Sequence, residues 1–405
     1  MTAIKTYNYL TMTKHKISLL PEAQEILKDL KKWRRHFHQN PEIGLDVPDT
    51  ADYIRQVLNE NQIEILEGAP GHTVIGFLKG VDSLHSLGLR ADMDALPIEE
   101  KTGLPYASHR ENTMHACGHD AHMAMLLGAA VLLRQKQKTL PQDTYFIFQP
   151  GEEDPGGALP IMESGILKPL KGIFALHMDP HQSCGIGGVN REKAMASTDC
   201  FYIKLIGRGG HAALPHQSVD PIAMAAQVIN SLQFIVSRLI DPVEPAVLTL
   251  GSINGGDRPN VIPDFVTLSG TIRTFSEDLR LQIQQEIRRT LDMYCTRYGA
   301  TYDLEIVPGY PPVINTPRMC DFILETSRIM GDALVVNEMK QPRMAGEDFS
   351  YYLQEIPGAF YWLGCRNDEK ECIFPLHHSK FNLDEDVLPL GASLHCLCAL
   401  NFHQS

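Results

Sequence analysis

The densest group of side chains able to bind a metal ion lies in the segment "MHACGHDAH", residues 114 to 122. Cys117 and His119 stand two positions apart on a predicted loop before a helix, so both can face one point. Thiolate and imidazole are ligands suited to zinc and its neighbours in the transition series. The segment therefore indicates a metal site; the alternative is a buried cysteine followed by histidines that cap the helix.

Two adjacent glutamates end the apolar run of "IFQPGEEDPGG", residues 147 to 157. Neighbouring side chains on extended backbone point in opposite directions, so Glu152 and Glu153 are not expected to duplicate one another. One carboxylate could bind a metal ion while the other faces a water molecule.

Further polar candidates follow other predicted strands. His177 comes after "GIFAL", and Asp92 and Asp94 come after "LGLR". Because α/β proteins bind ligands at the carboxyl ends of their strands, these groups are expected to converge. A histidine such as His177, taken alone, is equally well explained as a hydrogen-bonded core residue. The C-terminal "PLHHSKF" adds His377 and His378.

Strands and helices alternate around these positions. The segments "HTVIGFLKG", "SLHSLGLRAD", "DTYFIFQP" and "KGIFALHM" are typical of strands. Helices are predicted over 22–39, over "PDTADYIRQVLNENQ" with Asp49 or Thr50 as N-cap, and over "DAHMAMLLGAAVLLRQKQK". This alternation predicts an α/β fold, a catalytic domain with a central sheet flanked by helices.

The pattern changes near residue 196. Period-2 strands are interleaved there with helices near 220–240 and 277–298, in the order strand-helix-strand-strand-helix-strand. That order predicts an inserted α+β sandwich. We therefore expect a catalytic domain in two segments, 1–195 and 310–405, and an inserted domain over 196–309. The glycine clusters "GIGGVN" and "GRGGH" fit turns better than a phosphate-binding loop.

Composition excludes several classes of partner. Among the 405 residues, 49 are acidic and 36 basic, giving a net charge of −13, which argues against nucleic acid or an anionic membrane as partner. The N-terminus lacks the apolar core of a signal peptide, and no apolar run reaches the roughly 18–20 residues that span a bilayer. The nine cysteines are scattered without a CxxC pair, so a reduced, cytoplasmic protein with mostly buried thiols is expected.

The order of the motifs resembles one enzyme family. The chain is similar, from about residue 30 to about residue 395, to the metal-dependent amidohydrolases that include hippurate hydrolases, aminoacylases, N-acetyldiaminopimelate deacetylases and auxin-conjugate hydrolases. Nine motifs in register carry the resemblance: "RADMDALP", "MHACGHDAHMA", "QPGEE", "ALHM", "GRGGHAALPH", "NVIPD", "GTIRTF", "AGEDF" and "HHSKFNLDED".

The resemblance implies a catalytic domain with two divalent metal ions and a lid domain through which a homo-oligomer forms. Mn²⁺ or Zn²⁺ is expected, with Co²⁺ and Ni²⁺ as alternatives. Matched motif by motif, the implied metal ligands are Cys117, His119, Glu153, His177 and His377. His377 precedes the aromatic residue of its motif by four positions, which favours it over His378. Related dinuclear peptidases have His-x-Asp where this chain has Asp92-Met93-Asp94, so the resemblance makes neither aspartate a ligand and gives Asp94 a supporting role.

The implied reaction is hydrolysis of an N-acyl amino acid, with an acetyl, benzoyl or similar acyl group, to a carboxylic acid and a free amino acid. Glu152 takes the role of general base on a metal-bridged water. His211 in the lid stabilises the oxyanion, and Asn260 and Arg273 meet the substrate. The alternatives are a dipeptidase or aminopeptidase of the same fold, a binding protein without turnover, and a structural-zinc protein.

Overall fold

A computed structural model describes residues 19–402, apart from the side chains of residues 83–85. The N-terminal segment, in which the sequence predicts no signal peptide, lies outside the described residues. The described chain divides into two units. The first unit runs from residue 19 to Arg191 and adds Thr316–Met339 and the residues from Glu355 to 402. The second unit contains Glu192–Asn315 and Lys340–Gln354.

Strands and helices alternate through much of the described chain. The strands are β1 Glu64–Ile65, β2 Val74–Leu78, β3 Asp82–Asp92, β4 Gln142–Gln149, β5 Gly172–Ser183, β6 Ile186–Asn190, β7 Lys193–Met195, β8 Asp199–Ile206, β9 Gly210–His211, β10 Ala246–Asn254, β11 Val261–Ile262, β12 Phe265–Thr274, β13 Thr301–Pro308, β14 Val313–Ile314, β15 Val335–Met339 and β16 Gly358–Arg366. The helices are α1 Leu20–Glu25, α2 Leu27–Gln39, α3 Pro48–Glu60, α4 His119–Gln135, α5 Ala158–Ser164, α6 Pro221–Phe234, α7 Glu277–Tyr298, α8 Pro317–Ser327, α9 Ser350–Glu355 and α10 Leu388–Asn401.

The first unit is built on a mixed eight-stranded sheet in the order β1-β2-β4-β3-β5-β16-β6-β15. Strand β3 runs parallel to both of its neighbours, β4 and β5. These strands are buried on both faces, as the apolar runs of a covered parallel sheet indicate. Helix α4 contacts β3 and β5 as well as α2 and α10, and every residue from His119 to Leu133 is buried. The predicted α/β fold with a central sheet flanked by helices is confirmed.

Two predictions about helices in the first unit are wrong. The helix expected over 22–39 is interrupted at Ile26, which separates α1 from α2. Helix α3 begins after Val47, so neither Asp49 nor Thr50 is its N-cap. Its first turn is capped from a distance: the carboxylate of Glu42 accepts the backbone N–H of Thr50 at 2.8 Å. This cap satisfies an N–H group that helix geometry leaves without a partner.

The second unit has a four-stranded antiparallel sheet in the order β10-β12-β8-β13. Burial alternates along β12, as the period-2 pattern predicts, and α6 and α7 cover the buried face. Both helices have side-chain N-caps, since Asp220 accepts the N–H of Ile222 and Ser276 accepts the N–H of Leu279. The predicted order of strands and helices is observed, with the short β9 and β11 added.

Among residues 19–402, one stretch, Pro221–Leu239, is long and apolar enough to cross a membrane by length and composition alone. The sequence predicted that no apolar run reaches the roughly 18–20 residues that span a bilayer. This stretch has the length, but polar residues such as Gln227, Asn230 and Arg238 interrupt it. Here the stretch forms α6 and a π-helical turn, and its buried residues belong to the core of the second unit.

Candidate metal centre

The register of three parallel strands brings the candidate residues of the first unit together. Asp92 at the end of β3 is paired with Gln149 at the end of β4. Arg90 is paired with Ala175 on β5, which puts His177 level with Asp92. Strand β5 continues to Ser183, so His177 lies within the strand and not after its end as expected. The side chains still meet at one edge of β3 and β4, where α4 also begins.

Cys117 belongs to two groups of metal-binding atoms. Its Sγ lies within 4.8 Å of the ligand atoms of His119 and His177, and these three side chains are buried. The same Sγ also lies within 4.8 Å of a carboxylate oxygen of Glu153 and an imidazole nitrogen of His377. A third group joins Glu152 to His119 and Glu153. Two triads that share a thiol fit two neighbouring cations better than one.

Helix α4 begins at His119, and the N-cap of this helix is Gly118. The alternative interpretation, in which the histidines cap the helix, is therefore wrong. His119 Nδ1 donates to the backbone oxygen of Asp94 at 2.8 Å, which assigns the ring proton to Nδ1. Its Nε2 is buried and has no hydrogen-bond partner among the described residues. Burial lowers the pKa of His119, but the carboxylates of Asp92 and Asp94 outweigh burial and raise it to about 10. An orphaned basic nitrogen among carboxylates is suited to a metal ion.

His177 has the same kind of arrangement. Its Nδ1 lies 2.9 Å from the backbone oxygen of Met178, and its Nε2 lies 3.5 Å from Cys117 Sγ. A backbone carbonyl that takes one ring proton fixes the tautomer and leaves the other nitrogen to a metal. Burial and the neighbouring His122 hold the pKa of His177 well below its usual value, so the ring is neutral, as a ligand must be.

The two glutamates lie in a turn, not on extended backbone. Asp94 holds this turn, because its Oδ1 accepts the N–H of Glu152 at 2.9 Å and its Oδ2 accepts the N–H of Glu153 at 3.0 Å. The Glu152 side chain is buried, whereas that of Glu153 is partly exposed and reaches His377. The carboxylates thus differ in surroundings, although the strand argument that predicted the difference is wrong.

His377 and His378 are separated by their backbone and contacts. His377 has a φ of 64°, a left-handed conformation that non-glycine residues seldom adopt, and its Nε2 lies 3.0 Å from Glu153 Oε1. Strain of this kind clusters at functional sites. His378 instead stacks on Phe374 with ring centroids 4.7 Å apart. Of the two, His377 has the geometry of a candidate ligand.

Side-chain atoms of Asp92, His119 and His122 also lie within 4.8 Å of one another. Asp92 and His122, however, already contact other polar groups. His122 Nε2 accepts the N–H of Met178 at 3.0 Å, and its Nδ1 lies 2.6 Å from Asp92 Oδ1. Arg90 donates to Asp92 Oδ2 at 2.7 Å. These contacts were missed in the sequence, although the period of two along β3 puts Arg90 and Asp92 on one side.

The charge of the group fits cations. Burial, followed by Glu153 and Glu152, raises the pKa of the Cys117 thiol well above its usual value. Burial tends to raise the pKa of Glu153 as well, but His377 and His119 keep it low. A buried thiol beside carboxylates is costly unless a positive ion neutralises them. The donor set of one thiol, imidazoles and carboxylate oxygens suits a transition-series divalent ion.

The remaining predicted site residues lie in the second unit. His211 ends β9, is exposed, and pairs with Val261 of β11. Asn260 precedes Val261, and its backbone oxygen accepts the N–H of Ala212 at 3.1 Å, so it lies beside His211. Arg273 lies on β12 opposite Val247.

Fold and site together define a metal-dependent hydrolase: candidate metal ligands converge at the strand ends of an α/β unit, and a second carboxylate stands beside them. The family model described as "Peptidase family M20/M25/M40" matches residues 88–401, and the chain belongs to this family. It is a metal-dependent amidohydrolase.

Relatives support this assignment along nearly the whole chain. The chain is 38% identical to thermostable carboxypeptidase 2 of Saccharolobus solfataricus, covering 95% of this chain and 99% of that protein. It is 38% identical to N-acetyl-L-cysteine deacetylase of Bacillus subtilis, covering 95% and 91%. The crystal structure of Bacillus subtilis YXEP, a dinuclear metal binding peptidase of the M20 family, has a TM-score of 0.82 and 34% identity, covering 93% and 98%.

Proposed function

We propose that this protein uses two divalent metal ions to hydrolyse the amide bond of N-acyl L-amino acids. The observation that carries the proposal is the pair of side-chain triads that share Cys117, with Glu152 grouped beside them. Cys117, His119, Glu153, His177 and His377 would hold the ions, which are Mn²⁺ or Zn²⁺ in this proposal, with Co²⁺ or Ni²⁺ as alternatives. When bound, such ions make water more acidic and polarise an amide carbonyl.

Glu152 is the proposed general base. Its carboxylate takes a proton from the attacking water and returns it to the nitrogen of the leaving amine, so one residue serves as base and then as acid. Two features favour this role: the side chain is buried, and Asp94 holds its backbone N–H. A base fixed in this way needs little reorganisation at the moment of reaction.

The second unit would supply the substrate contacts. We propose that segments 1–195 and 310–405 form the catalytic domain and that 196–309 form a lid. His211 would donate to the oxyanion of the tetrahedral intermediate, and Asn260, which lies beside it, would help to hold the substrate. Arg273 would pair with the substrate carboxylate through two parallel hydrogen bonds. A homo-oligomer formed through the lid and a cytoplasmic location complete the proposal.

The names of the two relatives favour different acyl groups, since the leaving group is an amino acid in both cases. Deacetylation releases an acyl group from an amino acid, and a carboxypeptidase removes the last residue of a peptide. Both reactions cleave an amide next to a free α-carboxylate, the group assigned here to Arg273. Peptide cleavage is therefore the second candidate.

A panel of substrates tests the proposal. Acetyl-, benzoyl- and octanoyl-amino acids and matching dipeptides are incubated with protein loaded with each metal, and the free amino acid is quantified. The proposal expects hydrolysis of acyl amino acids, loss of activity on chelation and about two ions per chain by elemental analysis. Faster turnover of the dipeptides would favour the second candidate, and metal-replete protein that hydrolyses no amide would refute both.

A further inference from the structure

Two apolar side chains stand in a short segment beside the candidate metal centre. Ile43 and Leu45 follow helix α2 in the sequence "PEIGLD" and are 45% and 41% exposed. Single exposed apolar residues are ordinary on protein surfaces, so exposure alone indicates nothing. Their position relative to the glutamate turn is the informative feature.

Leu45 lies against the backbone that leads into Glu152. A Cβ built on Gly151 would be 2.6 Å from Leu45 Cδ2 and 3.1 Å from Leu45 Cγ, so the leucine side chain occupies the space beside that glycine. A Cβ built on Gly44 would be 3.2 Å from the backbone oxygen of Asp154. The segment therefore touches the turn on both sides of Glu152 and Glu153.

Ile43 is joined to the strand end that carries Asp94. It forms a parallel bridge with Ala95, and Ala95 donates its N–H to the oxygen of Glu42 at 2.7 Å. Asp94, next in the chain, holds the N–H groups of both glutamates. The backbone of Ile43 is thus joined to the residue after Asp94, while Leu45 packs beside Gly151 at the start of the turn.

The segment is held firmly, although its apolar side chains are exposed. The buried carboxylate of Glu42 accepts the N–H of Thr50 at 2.8 Å and lies 3.3 Å from Arg110 Nη1. Anchoring on a polar network keeps the backbone in place while leaving the two side chains open to solvent. A fixed apolar surface beside a polar reaction centre is the usual composition of a small-molecule site.

We propose that Ile43 and Leu45 form an apolar subsite that receives the hydrophobic substituent next to the scissile amide of the substrate. That substituent is either the acyl chain or the amino-acid side chain. The inference rests on the proposed amide hydrolysis for the position of the scissile bond. It names a substrate preference: larger aliphatic or aromatic substituents over acetyl and alanine.

A binding experiment tests the subsite independently of turnover. Acetohydroxamate and octanohydroxamate, which anchor on divalent ions, are titrated calorimetrically into metal-loaded wild type and Leu45→Asn. Leu45→Asn keeps the size of the side chain and removes its apolar character. Octanohydroxamate should lose roughly tenfold in affinity in the variant while acetohydroxamate stays within about twofold, since apolar contacts in pockets are worth at least that much. Equal effects on both probes, or none, would overturn the proposal.

Val81→Asn is the matched control, because Val81 is 71% exposed and immediately precedes β3, whose other end carries Asp92. This variant should bind both hydroxamates like wild type. Hydrolysis then separates the two sources of the substituent. A lower ratio of kcat/KM for octanoyl over acetyl substrates in Leu45→Asn assigns the acyl chain, and a lower ratio for leucine over alanine assigns the amino-acid side chain. If the binding difference appears without any hydrolysis, the subsite stands and the proposed function fails.

Discussion

Asp94 fixes the backbone of Glu152, since its Oδ1 accepts the Glu152 N–H at 2.9 Å. Its Oδ2 accepts the N–H of Glu153 at 3.0 Å, so one carboxylate binds the two successive N–H groups on either side of the Glu152 Cα. Because both N–H groups bind the same carboxylate, the backbone conformation of the turn at Glu152 and Glu153 is fixed. Asp94 acts on the site through backbone, and this contact gives a physical form to the supporting role inferred for it.

Asp94→Asn should disturb this turn without removing a buried group. The amide keeps one acceptor but presents an NH₂ group to a backbone N–H, so one of the two hydrogen bonds is lost. We expect activity or metal affinity to fall roughly 10–100-fold, the range for partners that orient metal ligands. Steady-state kinetics and metal titration measure this. Asp52→Asn, on the exposed surface of α3, is the control and should behave like wild type. Unchanged kinetics in Asp94→Asn would show that the turn holds itself.

The neighbouring histidines 377 and 378 offer a matched pair of variants. His377→Ala should lose metal, because its Nε2 reaches the group that contains Glu153. His378→Ala removes only a ring stacked on Phe374 and should keep metal and most activity. Elemental analysis of the two purified variants makes the comparison. Metal loss confined to His378→Ala would reverse the assignment.

A buried histidine should make stability depend on pH. Burial tends to lower the pKa of His38, but its contacts with Asp120 at 2.8 Å and Glu100 at 3.3 Å raise it above the usual value. The folded state therefore holds this proton more tightly than the unfolded state does. Its contribution is full below the unfolded pKa of about 6.5 and is lost as pH rises through the raised folded pKa.

The predicted observable is the difference in apparent Tm between wild type and His38→Gln. Calorimetric scans at about pH 6 and about pH 9 should show the larger difference at the lower pH. Glutamine retains hydrogen-bonding groups but cannot carry the charge. A difference that grows toward alkaline pH would contradict the sign of the pKa shift.

Local patterns predicted the elements whose environment repeats regularly. Strand β12 alternates between buried and exposed residues, and α4 has an apolar surface wide enough for burial all round. Such elements follow from sequence because each residue's neighbours are set by the period of the element. The sequence order of the second unit was predictable for the same reason.

Features set by distant partners were not predictable. The segment "GIGGVN" was expected to be a turn, yet residues 186–190 form β6 between β16 and β15. Close packing explains the glycines there: a Cβ on Gly188 would be 2.4 Å from Met339 Sδ. The cap of α3 by Glu42 and the left-handed backbone of His377 likewise depend on contacts that no local pattern contains.

The candidate site was predicted by residue type but not by geometry. The motifs indicated Cys117, His119 and His177 as ligands. They did not show which of the nearby histidines has a ring nitrogen that is available to bind a metal ion. His122 uses both nitrogens, for Asp92 and the Met178 N–H, whereas His119 keeps Nε2 unpaired among the described residues. Assigning a hydrogen-bond partner to each ring nitrogen requires the three-dimensional structure.

His211→Ala tests the proposed oxyanion role of the second unit. Because His211 is exposed on β9 and belongs to a different unit from the candidate ligands, its loss should leave metal content unchanged. The value of kcat should fall roughly 10²–10³-fold, the effect of removing one oxyanion donor. Kinetics and elemental analysis on the same preparation are required. A metal-depleted variant would mean that His211 is a ligand.

The two adjacent glutamates allow the sharpest test of roles. Glu152→Gln keeps the size and hydrogen-bonding capacity of the side chain but cannot accept a proton. It should retain metal and substrate affinity while kcat falls by about 10²–10⁴, the usual contribution of a positioned base.

Glu153→Gln removes an anionic oxygen from the group with Cys117 and His377. Its main defect should be weaker metal binding, partly rescued by excess ion, because affinity depends on the deprotonated ligand. Both variants keep the backbone N–H groups that Asp94 accepts, so the turn is preserved in each. Elemental analysis beside single-turnover rates therefore separates the two functions. If Glu152→Gln is the metal-poor protein and Glu153→Gln is metal-replete but inactive, the assigned roles must be exchanged.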